Sequence, residues 1–532
     1  MRGLRSDTVI LVDPDVCLVG VDLDGLVSTL RGLGTGRTTV VPGLARHPEL
    51  LTGAVKASSG ARSAVVVTAE FERPPISELR MWGEAGGLSP LGVHVVALDI
   101  LRARRSPGER STYAVRMVQA AVAALDTPCA PQAVRRSVGV SLTRRGLLSA
   151  RATTWVPVVG VDAPACLGMP RCGRCVQACP ENALLSQGDI SGAPPVLDAS
   201  RCGACSACLD VCPSGALSLD GHDSGTLVRQ MRVLLHGGDG SAAPSLVISC
   251  RGAAEPLHHL GERDGIPGWL VLELPCFGGV GSAWHLAALA AGARTVRLLP
   301  CEHCMDRGSL TKELTFTRRL LTALGDVDAA RRAGVLPVGG ARLRRAILAA
   351  DGLTPLVAGT TLDLMPAPGA IETSARVAAW AVGVLETAMG GTGQDQQLQP
   401  RVIEGLGAPL GAVRAGEGCT ACGVCARYCP TQALSLRAAL GGTDLVLDPS
   451  SCNGCGVCAR TCPEAVLDVV QGVDLDLLAG GSVPIAHATA AICPDCGESV
   501  PALPTTAFPT ALPAGLATRC PSCRQAVLVA SV

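Results

Sequence analysis

Aromatic residues are nearly missing from this 532-residue chain, which has two Tyr, four Phe and five Trp. So little ring area excludes aromatic-rich sandwich cores and points to small α/β layers built from Ala, Val and Leu. Net formal charge is also absent, with 45 Lys and Arg against 45 Asp and Glu. No run of about 18 uncharged apolar residues occurs, so no membrane span is expected. The longest candidate, 277–293, begins with glycines and contains His285. At the amino terminus Asp13 and Asp15 interrupt a short apolar run, which is not how a signal peptide reads. Neither a strand-G-x-G-x-x-G-helix frame nor a P-loop is present, so no nicotinamide, flavin or nucleotide site is visible. Cysteine, by contrast, is abundant at 26 residues. The chain is expected in the cytoplasm, where thiols stay reduced, and the cysteines therefore count metal sites rather than disulfides.

Sixteen of the cysteines form two copies of one pattern. The first runs Cys166, Cys172, Cys175, Cys179-Pro180 and then Cys202, Cys205, Cys208, Cys212-Pro213. The second runs Cys419, Cys422, Cys425, Cys429-Pro430 and then Cys452, Cys455, Cys458, Cys462-Pro463. Cys179 to Cys202 and Cys429 to Cys452 both span 23 positions, and Val196-Leu197-Asp198 repeats as Val446-Leu447-Asp448. Three thiols at i, i+3 and i+6 cap three corners of a cubane from one tight loop, and the fourth must come from elsewhere. Zinc also accepts C-x2-C pairs, but it does not call for a 2-2-3 spacing closed by Pro and repeated along the chain.

The pattern resembles the bacterial two-cluster ferredoxin, in which the Cys before Pro ligates the other cluster. That resemblance implies four 4Fe-4S clusters. They would be held by Cys419, Cys422, Cys425 and Cys462; by Cys452, Cys455, Cys458 and Cys429; by Cys202, Cys205, Cys208 and Cys179; and by Cys166, Cys172, Cys175 and Cys212. The last set is irregular, because Met169 stands where a thiol belongs and Cys166 lies three residues further back. Either a longer loop brings Cys166 in, or the site has three thiols and holds a 3Fe-4S or labile cluster.

Between the modules the period changes to βαβα. Strands are expected at 245–249, 269–274 and 295–299, separated by helices at 282–291 and 306–324, which makes a parallel sheet. Cys250, Cys276, Cys301 and Cys304 all fall at carboxyl strand ends, where such sheets place their sites. Buried structural thiols are the plainer alternative. The text Leu274-Pro275-Cys276-Phe277-Gly278-Gly279-Val280 and Pro300-Cys301-Glu302-His303-Cys304 resembles the delta, or iron-sulfur, subunit family of hydrogenases that feed heterodisulfide reductase. The resemblance implies a 2Fe-2S cluster on those four thiols and transfer of electrons to a flavoprotein. Two features depart from the family: Arg251-Gly252-Ala253 follows the first thiol where a second Cys is usual, and the last pair is closely spaced. His303 reads as a hydrogen-bond partner of the site rather than a ligand.

Cys493, Cys496, Cys520 and Cys523 form two C-P-x-C knuckles, read as a structural zinc ribbon, with a rubredoxin-like single iron as the alternative. Residues 1–150 read as an α/β domain with strands near 9–12, 38–41, 63–68 and 93–98. Its start at Val16-Cys17-Leu18-Val19-Gly20 weakly resembles the amino-terminal domain of the heterodisulfide reductase flavoprotein subunit. The strand end Thr68-Ala69-Glu70 lacks the family's thiol, so no cluster is expected there, and Cys17 and Cys129 read as ordinary buried thiols. From Asp99 to Arg151 ten Arg face three acids; without interleaved aromatics this suggests charge compensation or partner docking rather than nucleic-acid binding.

The expected fold class is α/β multidomain. Two ferredoxin-like modules (160–222, 411–472) flank a parallel-sheet domain (243–330), followed by a helical segment (331–389), a Gly/Gln-rich linker (390–400) on which the second module forms a mobile arm, and the ribbon (490–526). Ligating thiolates would bring the loaded protein to roughly −12, counting each cluster or zinc with its four thiolates at about −2. Many one-electron sites and no two-electron cofactor suggest an electron-transfer subunit of an oxidoreductase complex in an anaerobic or microaerobic cell. It would join a hydrogenase or formate-type dehydrogenase to heterodisulfide-reductase-like subunits. An oxidoreductase acting at the central cluster or through a borrowed flavin is one alternative; a redox sensor is another.

Overall fold

The computed structural model describes residues 7–34, 37–71, 73–104, 106–125, 134–139, 152–169, 171–188, 192–219, 224–235, 243–274, 279–301, 309–338, 340–348, 353–357, 374–389, 401–500, 516 and 519–530. Residues 8–97 contain four parallel strands, β1 (Thr8–Val12), β2 (Arg37–Val40), β3 (Ser63–Thr68) and β4 (Val93–Ala97), in the order β2-β1-β3-β4. Alternation along the strands divides them between two cores. Val9, Leu11, Ala64 and Val66 face Leu51 and Leu79, while Ile10, Val12, Val65 and Val67 face Leu26, Leu30 and Val118. Both faces are covered, which is why these strands read as continuous apolar runs.

The central domain repeats this plan. Strands β5 (Ser245–Cys250), β6 (Trp269–Leu274), β7 (Val296–Leu299) and β8 (Ala333–Val335) are parallel in the order β6-β5-β7-β8. In both sheets the first strand therefore lies between the second and third, with the fourth outside. A dicluster module follows each sheet, so the repeat extends to an α/β unit plus its module. Strand β8 lies in the segment expected to be purely helical; at three residues of Ala-Gly-Val it carries too little periodicity to announce itself. The helix Ser282–Ala290 is buried at every position. It is enclosed between the sheet and the helix Ser374–Met389, whose Ala375, Ala378 and Ala381 permit close approach.

A buried triad joins the two α/β units. His258 meets Asp99 at 2.5 Å through Nδ1 and Glu273 at 2.6 Å through Nε2. Phe71 stacks on its ring at 4.2 Å. Arg102 bridges to Glu262 at 2.7 Å, and Arg104 donates to the carbonyls of Ile266 and Trp269.

The second module is not a mobile arm. Ile403, Leu410, Val473 and Leu475 belong to the same core as Phe316 and Leu385. Ser282 Oγ donates to the Gly407 carbonyl at 2.6 Å, and Arg401 pairs with Glu386 at 3.0 Å. The proposed linker, 390–400, lies outside the described residues, and its composition could not reveal the apolar docking that follows it. Among the described residues no helix is long and apolar enough to cross a membrane.

Two outcomes follow from these contacts. Gly407 has φ +88°, and a Cβ there would lie 2.9 Å from Glu313 backbone atoms. Gly407→Ala is thus expected to cost about 1–3 kcal/mol, read as a lower midpoint of thermal unfolding and earlier proteolytic release of the second module. Burial alone would lower the His258 pKa, but the Glu273 charge and the hydrogen bonds its ring donates to Asp99 and Glu273 outweigh it and raise it to about 9. Because the folded value lies above the unfolded one near 6.5, this stabilisation is complete below pH ~6.5 and is lost as pH rises through about 9. His258→Gln should flatten that loss in a stability profile against pH.

Candidate metal centres

Each regular cysteine loop is shaped by residues in the left-handed region. Two and four positions after the first thiol stand Ala204 and Ser206, Ala421 and Gly423, and Gly454 and Gly456, all with positive φ. This turns successive side chains inward and aims a backbone N–H at the first sulfur, as Ala421 does for Cys419 and Gly454 for Cys452. The third residue after each Cys-Pro cysteine is left-handed as well: Asn182, Gly215, Gln432 and Ala465. For Ala and Ser this geometry is uncommon and strained.

The irregular loop keeps the same frame. Gly168, two after Cys166, has φ +69° and donates to Cys166 Sγ at 3.4 Å, while Gly173, two before Cys175, has φ +70°. Cys166 thus occupies the first-thiol position, three residues further from Cys172 than the regular spacing. Met169 packs on Gly173, where a Cβ would come within 2.8 Å of its Sδ. Cys166, Cys172, Cys175 and Cys212 line one cavity together with Met169. Cys179, Cys202, Cys205 and Cys208 line a second, and Cys429, Cys452, Cys455 and Cys458 a third. Cys462 and Cys422 lie within electrostatic reach of Cys419, and Cys422 and Cys419 within reach of Cys425.

The repeated Val-Leu-Asp lettering is an Asx turn leading into the second loop of each module. Asp198 accepts the backbone N–H and hydroxyl of Ser200 at 2.9 and 2.6 Å, and Asp448 accepts those of Ser450 at 3.0 and 2.6 Å. The Ser two residues after each Asp was the signal available in the sequence.

Burial pushes the thiols up, to about 12 at Cys425 and Cys452 and about 11 at Cys458 and Cys175, and neighbouring sulfurs add to the rise. Four thiolates cannot coexist in such a volume without a cationic core, so the donor sets suit a cluster.

In the central domain Cys250 is buried at the end of β5, and Cys301 follows β7. The two strand ends converge, since a Cβ on Gly252 would lie 3.4 Å from Cys301 Cβ and 3.8 Å from its Sγ. Cys276, His303 and Cys304 lie outside the described residues. At the carboxyl terminus the ligand atoms of Cys493, Cys496, Cys520 and Cys523 lie within 4.8 Å of one another. The first knuckle sits on the hairpin Ala491–Ile492 with Ser499–Val500, whereas the second opens the helix Pro521–Ala530 rather than a second hairpin.

Cys17 is exposed, contrary to expectation. In the 3-10 turn Pro14–Val19, Val16 and Val19 share the buried face, and a period of three leaves the residues between them outward. Cys129 lies outside the described residues.

Residues 163–225 and 418–466 match the family model of a 4Fe-4S dicluster domain. No curated protein matches the chain. The two matched segments coincide with the two modules, so the chain is a multidomain iron-sulfur protein with 4Fe-4S clusters and an electron-transfer role. Cys166→Ala is expected to abolish one 4Fe-4S EPR signal and retain three, with loss of about one to four irons. Four unchanged signals would exclude Cys166 as a ligand.

Proposed function

We propose that the chain relays single electrons between a hydrogenase or dehydrogenase and a heterodisulfide-reductase-like partner. The observation that carries the reading is the match of two segments, each with eight cysteines, to a 4Fe-4S dicluster domain. The clusters would supply one-electron carriers; the chain would hold them and donate N–H groups to sulfur. A 2Fe-2S cluster on Cys250, Cys276, Cys301 and Cys304 would extend the relay, and zinc on Cys493, Cys496, Cys520 and Cys523 would fix the carboxyl-terminal fold. The sensor alternative draws less support, because Arg102, Arg104 and Arg110 are engaged in internal contacts rather than presented to a nucleic acid.

Anaerobic purification with iron, sulfide and zinc counts and EPR of the reduced protein tests this reading. About eighteen Fe and one Zn per chain are expected, from four irons per cubane and two in the central site. Fewer than about twelve Fe after full reconstitution would overturn it.

A further inference from the structure

The two modules are far apart in sequence but meet in the fold. Arg460, between Cys458 and Cys462, donates from Nη2 to the Arg171 carbonyl at 3.0 Å and from Nη1 to the Cys455 carbonyl at 3.3 Å. Arg171, immediately before Cys172, stands over the ring of Tyr428, immediately before Cys429, at 5.1 Å from the centroid. The charges of Arg174 and Cys172 reach Cys455 across the seam. Arg171, Arg174 and Tyr428 each adjoin a cysteine of one of two tetrads, Cys166/Cys172/Cys175/Cys212 or Cys429/Cys452/Cys455/Cys458, and Arg460 bonds the Cys455 carbonyl of the second. Within the modules Cys175 reaches Cys208, and Cys458 reaches Cys425. The four tetrads thus follow one another in series, with these two inside and those of Cys202 and Cys419 outside. Beyond the Cys202 tetrad, a Cβ on Gly279 would lie 3.0 Å from Ser206 Oγ and one on Gly281 3.3 Å from Asp210 Oδ1, so that end abuts the central domain.

Two loaded tetrads of about −2 each repel one another. A contact made only for docking would favour apolar residues, yet this one is built from three guanidiniums. We propose that Arg171, Arg174, Arg460 and Tyr428 form an electron-exchange junction that joins the two inner sites, making one path through both modules and raising the reduction potentials of both inner sites together. The inference rests on the relay reading. In the step it describes, one inner site loses an electron as the other gains it, with no bond or proton exchanged. The arginines are positioning residues: their cationic charge stabilises the reduced, more negative form of each neighbour.

The test is an EPR-monitored redox titration of the full chain carrying all its clusters, as the unaltered protein and as Arg174→Gln, Arg460→Gln and Arg460→Lys. In each Gln variant two of the four 4Fe-4S signals are expected to shift together to lower potential. The expected size is about tenfold in the one-electron equilibrium, ~59 mV, with the other two unmoved and Arg460→Lys retaining the original values. Arg460 is exposed, so its variants report even if Arg174→Gln fails to fold. With four clusters present, unchanged potentials, or a shift confined to one cluster, would overturn the junction. Iron below about twelve per unaltered chain would instead overturn the relay reading itself.

Discussion

Buried sulfurs that repel one another set the terms for this structure. Burial holds the thiols of Cys425 and Cys452 up at about 12, and each thiolate formed in a tetrad makes the next harder to form. Only a cationic core reverses that balance, so metal loading stabilises the folded modules and releases thiol protons. The strained loops follow from the same requirement. Ala421 at φ +47° and Ala465 at φ +53° are tolerated because they turn the chain around the site. An N–H directed at Cys419 or Cys452 sulfur offsets part of the thiolate charge.

The α/β units give the modules a frame, and the two units use the same sheet edge differently. In the central domain the strand ends carry Cys250 and Cys301. In the first domain the corresponding edge carries carboxylates with structural partners: Asp13 accepts the N–H of Ala45 at 2.6 Å, and Asp99 accepts that of Phe71 at 2.9 Å while pairing with His258. One repeat presents thiols at its edge, and the other uses acids to close loops and to dock onto its neighbour. The plain reading of Thr68-Ala69-Glu70 as a strand end without a thiol agrees with this division.

Both modules and seven of the eight strands of the two parallel sheets were legible because their signals are local: fixed cysteine spacing, and runs such as Val9–Val12 or Ser63–Thr68 that stay apolar on both faces. The strand Ala333–Val335 was not, since three residues gain their identity only by pairing with Val296–Leu298. The shared strand order of the two sheets is a property of pairing over long separations and has no short-range signature. The docking of the second module was hidden for a similar reason. The Gly/Gln-rich stretch before it reads as a tether, while the contacts that hold it, Ser282 to Gly407 and Arg401 to Glu386, join residues remote in sequence. The wider loop after Cys166 was ambiguous in sequence because Gly168 and Gly173 mark its frame only once their positive φ values are seen beside those of the regular loops.

Charge around the tetrads follows one rule. Arg171, Arg174 and Arg460 bring cations to the seam, whereas acids at the neighbouring three-way junction are pushed toward neutrality. Burial raises Asp210 to about 6 against the pull of Arg174, and it raises Glu313 to about 8 with a further contribution from Asp210. Glu313 lies under Gly407, where the second module meets the central domain, and Asp210 lies against Gly281 on the first module's side. Near neutral pH Glu313 is therefore largely protonated and adds no negative charge beside tetrads that carry about −2 each when loaded, whereas Asp210 stays largely ionised and Arg174 offsets its charge. Cations at the seam, Arg174 beside Asp210 and a protonated Glu313 at the junction therefore meet the same demand: limiting negative charge around four negative sites that follow one another in series.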